Sequence, residues 1–155
     1  MSSESENLLK QLELENGGKI EWKTYAFLIS LKNRSIVSKG GLLYIVDGDL
    51  IFEDFESDRP IYRVIGTKQK TYQKTKLKAP LASIVNVQIM TRTNALKTLR
   101  GKRNLDELKT PNKLQRFLDR TVHAIRFEDE SCWFCEMYTT ENLSGYLPRY
   151  NKEIL

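Results

Sequence analysis

The sequence predicts a mainly β, α+β domain: seven antiparallel strands in a partly open barrel or sandwich, capped by a C-terminal helix, with a short N-terminal helix and a helical insertion. Three observations lead there. Two strand-like runs, residues 42–46 and 49–52, flank Asp47-Gly48. A two-residue Asp-Gly connection marks a tight hairpin, because both central turn positions want φ > 0. Further short runs are rich in aromatic and β-branched residues, and none alternates with a helical pattern, which argues against a parallel α/β sheet. The chain has 155 residues, 40 % of them hydrophobic and 29 % charged, enough for one core without metal or disulfide staples.

Each element follows in order. Residues 3–15 read as a short amphipathic helix, with Ser3 or Ser5 as cap, Glu4 and Glu6 at its positive end, and Leu8, Leu9 and Leu12 as an apolar stripe. Gly17-Gly18 ends it. Residues 25–31 form a strand, residues 32–35 a polar loop, and Lys39-Gly40-Gly41 closes that loop. The hairpin of residues 42–52 comes next, then an acidic stretch and a short strand at 61–65. Residues 67–78 carry five lysines and no acids and read as a basic loop or hairpin extension. Residues 79–90 begin near a proline and continue as a strand.

Residues 91–120 break the β rhythm. Helical turns are expected at 104–108 and 111–118, with Pro111 at a first helical position. Leu114, Phe117 and Leu118 fall on one face and are expected to pin that turn to the sheet. The rest of the insertion is expected to be less ordered than the strands. Residues 122–127 and 132–138 make a second hairpin around 128–131, and a capped helix starts at Thr140, limited by Gly145 and Pro148. The organisation is therefore a helical extension at 1–21 and one domain at 22–155, with the basic loop at 67–78 and the insertion at 91–120.

Catalytic raw material is scarce. His123 is the single histidine, and there is no Gly-rich phosphate cradle of the Walker or dinucleotide type. Cys132 and Cys135 form a lone C-x-x-C in a strand-like frame, where residues three apart point to opposite faces, poor geometry for shared ligation or a disulfide. A structural zinc wants about four ligands. No enzyme activity, cofactor, metal or small-molecule substrate is expected.

Charge is the informative feature. The net charge is +5, yet residues 63–120 alone carry 15 Lys/Arg against Asp106, Glu107 and Asp119, a local balance of +12 over a remainder of −7. One basic surface on a mildly acidic body points to an anionic partner. Nucleic acid is disfavoured: Tyr72 is the only aromatic between residues 63 and 116, and single-strand binders stack bases on several aromatics. No window approaches ~18 consecutive apolar residues, and the acidic start MSSESENLLKQ does not read as a secretory signal. A cytoplasmic protein, peripheral to a membrane, is the expectation.

The order of elements resembles the pleckstrin-homology (PH) superfamily, which includes the GRAM domains. The resemblance runs over about residues 22–150, through YAFLISLKN, GGLLYIVDGDLIFEDF, APLASIVNVQIM, HAIRFED, SCWFCEMYT and TENLSGYLPRY. It implies a non-catalytic PH-like module that binds anionic membrane lipid, phosphoinositide or general acidic phospholipid, and recruits its protein to a membrane. The family's headgroup ligands lie in the first hairpin, which here offers Lys32, Arg34 and Lys39, followed by Gly40-Gly41-Leu42. Lys68, Lys70, Lys74, Lys76 and Lys78 add diffuse attraction to an anionic leaflet. The alternative is an adaptor that binds a peptide or partner subunit without lipid. The family's closing helix usually carries a tryptophan; here that segment has Tyr146 and Leu147.

Overall fold

The computed structural model describes residues 3–54 and 75–147. Alternation of buried Trp22, Thr24, Ala26 and Leu28 with exposed Glu21, Lys23, Tyr25 and Phe27 makes β1 (Ile20–Lys32) a long strand with one face inward. Asn33 and Arg34, both at positive φ, turn it into β2 (Ser35–Val46). Asp47 (φ 49°) and Gly48 (φ 77°) then form the expected tight turn into β3 (Asp49–Asp54), pairing Leu43 with Phe52 and Ile45 with Leu50. β4 (Lys76–Pro80), β5 (Ile84–Thr91), β6 (Thr121–Phe127) and β7 (Cys132–Met137) complete an antiparallel sheet of order β4-β3-β2-β1-β7-β6-β5, curled into a half-barrel.

The concave face holds the main core. Trp22, Leu28, Leu43, Ile45, Leu50, Phe52, Ile84, Val87, Ile125 and Phe127 meet there, and Leu143 and Leu147 close it from the C-terminal side. Two smaller clusters lie on the convex face. Helix α1 (Ser3–Asn16) lays Leu12 and Leu9 over Leu42, Tyr44, Val46 and Ile51. Helix α2 (Arg92–Leu99) sets Ala95 against Met90, Val122, Ala124 and Phe134. Gly17 (φ 73°) ends α1, and the Gly18 amide returns 3.1 Å to the Glu13 carbonyl, a Schellman-type stop.

Several expectations need correction. Residues 35–41 belong to β2, not to a loop: the register with β1 runs unbroken from Lys32↔Ser35 to Ala26↔Gly41, so pairing to β1 overrides the weak strand propensity of Ser and Gly. The run 79–90 is interrupted by a 3-10 turn at Leu81–Ser83, whose Leu81 amide bonds the Gly48 carbonyl at 2.8 Å. Within the described residues the C-terminal segment is a 3-10 turn, Leu143–Gly145, entered through Asn142 at φ 64°. The expected strand at 61–65 lies outside the described residues.

Gly41 has the least room for a side chain of the described glycines. It pairs with Ala26 on one side and Asp54 on the other, and a Cβ there would lie 2.2 Å from the Glu53 carbonyl oxygen. A glycine at such a corner lets neighbouring backbone approach closely. Gly41→Ala is expected to lower unfolding free energy by about 2–3 kcal/mol. Gly40→Ala, whose Cβ would meet only the Phe27 ring at 3.1 Å, is expected to cost clearly less. Urea midpoints of the two variants check the contrast.

Candidate functional site

Of the eight lysines and arginines singled out from sequence, five lie among the described residues, and those five do not form one cluster. Lys32 ends β1 and Arg34 occupies the β1–β2 turn, both exposed. Lys39 sits on β2, four residues beyond the partner of Lys32, which is about 13 Å along a strand. Its ammonium lies 3.9 Å from the buried Asp54 carboxylate and donates to Thr75 Oγ1 at 2.6 Å. Lys39 is thus an internal clamp between β2 and the start of β4. Lys76 donates to Asn16 Oδ1 at 3.2 Å, and Lys78 faces Asp49 at 3.5 Å. Lys68, Lys70 and Lys74 lie outside the described residues.

The excursion between β5 and β6 is more coherent. Its two ends are clamped: the Arg92 amide bonds the Arg120 carbonyl at 2.7 Å, and Thr93 donates to Asp119 Oδ2 through both its amide (3.0 Å) and its hydroxyl (2.6 Å). Burial opposes ionisation of Asp119, but these hydrogen bonds, the Arg120 amide and the nearby Arg92 outweigh it and lower its pKa. Thr91 caps α2 through the Asn94 amide. Leu96, Leu99, Leu105 and Leu108 pack toward the sheet, Gln88 donates to the Leu105 and Leu108 carbonyls, and Arg126 pairs with Asp106 at 2.8 Å. Helix α2 is a feature the sequence reading missed; Thr91 followed by Ala95, Leu96 and Leu99 is the cap and stripe that signal it.

Packing on one side forces the charges to the other. Lys97, Arg100, Lys102, Arg103, Lys109, Lys113 and Arg116 are all exposed, and none has an ion-pair partner among the described residues. Lys102, Arg103 and Arg126 line a shallow depression of about 480 Å³, with Glu107 on its wall. Arg92 and Arg120, by contrast, are engaged with Glu136 on β7.

Helix α3 (Lys113–Leu118) contradicts its expected packing. Leu114, Phe117 and Leu118 are 64 %, 85 % and 73 % exposed. Its N-cap is Asn112, so Pro111 precedes the cap instead of taking the first helical position, and it is buried. Tyr25, Phe27 and Tyr138 are exposed on the convex face of the sheet, the two tyrosines edge-on at 6.2 Å. Phe27 pairs with Glu136, so this aromatic strip borders the root of the excursion.

Inside the half-barrel, Ile89, His123, Cys135, Leu28 and Lys39 form one cross-strand row. Burial, and secondarily the charge of Arg116, depresses the His123 pKa to about 4, and its Nδ1 has no partner among the described residues. Cys135 lies in the inner core and Cys132 packs on the convex cluster. Burial pushes both thiols up to about 12, far from the thiolate that nucleophilic or redox chemistry needs. A cleft of about 430 Å³ separates the β4 edge from the β6–β7 turn, floored by Leu77, Ala79, Phe127 and Trp133. Among the described residues, no group of three or more His, Cys, Asp or Glu could hold a metal.

No family model matches the chain, and no curated protein matches it. Among solved structures, the chain is similar to the C-terminal domain of an unknown protein from Leishmania infantum, at 8 % identity, with 92 % of each chain covered and a TM-score of 0.46.

The buried histidine gives a pH dependence of definite sign. Unfolded His123 titrates near pH 6.5, so below that value the unfolded state binds a proton the folded state refuses. Its contribution is complete above about pH 6.5 and is lost as pH falls toward the folded value of about 4. Between about pH 7.5 and pH 5 the loss is about 2 kcal/mol. Urea unfolding across that window should show it, and His123→Leu should flatten it.

Proposed function

We propose that the chain is a PH-like module, without catalytic role, that docks its protein on an anionic membrane surface through the basic excursion between β5 and β6, assisted by the lysine-rich 67–78 segment. The observation that carries this reading is the row of exposed cations from Lys97 to Arg116, unpaired among the described residues and held outward by a packed, clamped base. A cation already satisfied by a carboxylate, as Lys39 is by Asp54, adds little to an external anion; these cations remain free to act. Each lysine or arginine near an anionic leaflet contributes about 1 kcal/mol, falling off within a Debye length. The arrangement supports general acidic phospholipid over one phosphoinositide isomer, because the charges spread over a surface instead of converging on adjacent phosphates. No helix among the described residues is long and apolar enough to cross a membrane, so the proposed association is peripheral.

The cleft beside β4 favours the second reading, an adaptor. Among the described residues β4 pairs with β3 alone, and an extended peptide added to such an edge would place side chains on Phe127 and Trp133.

Vesicle co-sedimentation separates the two. Wild-type protein is expected to bind phosphatidylserine-rich vesicles, to release them as salt rises, and to ignore neutral ones. Reversing Lys102, Arg103 and Lys109 to Glu should weaken binding by about two orders of magnitude or more, with a nearly unchanged Tm, since exposed charges contribute little to stability. Failure of the wild type to bind anionic vesicles at low salt would overturn the membrane reading and leave the adaptor.

A further inference from the structure

Helix α3 is held in place by everything except its own apolar face. Six residues are too few for a helix to persist in water by propensity, and helices in proteins are stabilised mainly by burying an amphipathic stripe. Here local devices substitute. Asn112 Oδ1 accepts from the Gln115 amide at 2.8 Å while Gln115 Oε1 accepts from the Asn112 amide at 2.9 Å, a complete capping box. Buried Pro111 anchors the entry, and Asp119, tied to Thr93, anchors the exit. Leu114, Phe117 and Leu118 stand at i, i+3 and i+4, hence on one face, and that face meets solvent.

We propose that α3 is a preformed wedge that seats Leu114, Phe117 and Leu118 in the interfacial layer of an anionic bilayer while Lys113 and Arg116 meet lipid phosphates. The inference rests on the membrane reading above and adds the element that enters the lipid. Charge selects the occupant. From Lys109 to Leu118 the segment contains Lys109, Lys113 and Arg116 and no acid. The acid that follows, Asp119, is occupied by Thr93 and the Arg120 amide, so the charges flanking the apolar knob that remain to act are cationic. A bilayer offers the complement, anionic at the headgroups and apolar just beneath. A second copy of this chain would bring the same cations to the contact and be repelled. The exposed Tyr25, Phe27 and Tyr138, next to the root of the excursion, are residue types that settle at membrane–water interfaces.

Two measurements on the full chain test this. The triple variant Leu114→Ser, Phe117→Ser, Leu118→Ser should bind phosphatidylserine-rich vesicles about a hundredfold more weakly and keep the wild-type Tm, because none of the three side chains is buried. Separately, Phe117→Trp should add emission quenched by vesicles with brominated acyl chains, beyond the quenching of Trp22 and Trp133 in the wild type. If the wild type binds the vesicles and the triple variant binds equally well, with no added quenching from Phe117→Trp, the wedge is wrong and the electrostatic reading survives. If the wild type does not bind at all, the membrane reading itself fails and takes the wedge with it.

Discussion

Strand β1 is the constraint on which the rest of the molecule depends. It alone is paired to both halves of the sheet, along nearly its whole length to β2 and through Ala26–Ile29 to β7. Its inward side chains supply Trp22, Ala26 and Leu28 to the concave core, so a one-residue slip would turn the entire set outward. Trp22 fastens the far end as well: its indole donates 2.8 Å to the Glu141 carbonyl, next to the turn that seats Leu143 and Leu147. The outward side of the same strand explains what remains uncovered. Helix α1 shields β2 and β3, α2 and residues 105–108 shield β5 to β7, and between them Tyr25 and Phe27 stay open.

A buried polar network fixes one of those covers. Tyr44, fully buried on the convex face, donates to Glu53 and accepts from Asn16 Nδ2 at 3.0 Å, while Lys76 donates to Asn16 Oδ1. Burial first, and then Glu53, raises the Tyr44 pKa, so the hydroxyl stays a donor at any physiological pH. Removing one partner would leave a buried polar group unsatisfied, at a cost of about 1–3 kcal/mol. The C-terminal ends of α1, β2 and β3 and the start of β4 are thereby locked together. The excursion between β5 and β6 is locked independently, through Thr91, Thr93 and Asp119.

What was legible in the sequence follows from locality. The Asp47-Gly48 hairpin, the Gly17-Gly18 stop and the β6–β7 hairpin are written in neighbouring residues and appear as read. Residues 35–41 become strand only because β1 lies alongside, a fact that Ser38, Gly40 and Gly41 do not announce. Leu114, Phe117 and Leu118 carry a correct helical stripe, but a stripe does not say what it faces, and this one faces solvent and not the sheet. Lys39 counts as a site cation in the sequence and as the partner of Asp54 in the fold. Composition gives the sum of charges, whereas only tertiary pairing separates the neutralised cations from those left to act.

The central claim is that the excursion between β5 and β6, and not the concave core or the β4 edge, is the working surface. Hydrogen–deuterium exchange of the full chain, with and without phosphatidylserine-rich vesicles, tests it most directly. The account predicts added protection along residues 97–118, strongest across α3, with the amides of β3, β4 and the β6–β7 turn unchanged. Protection confined to β4 and the residues that line the cleft, with none in the excursion, would contradict it.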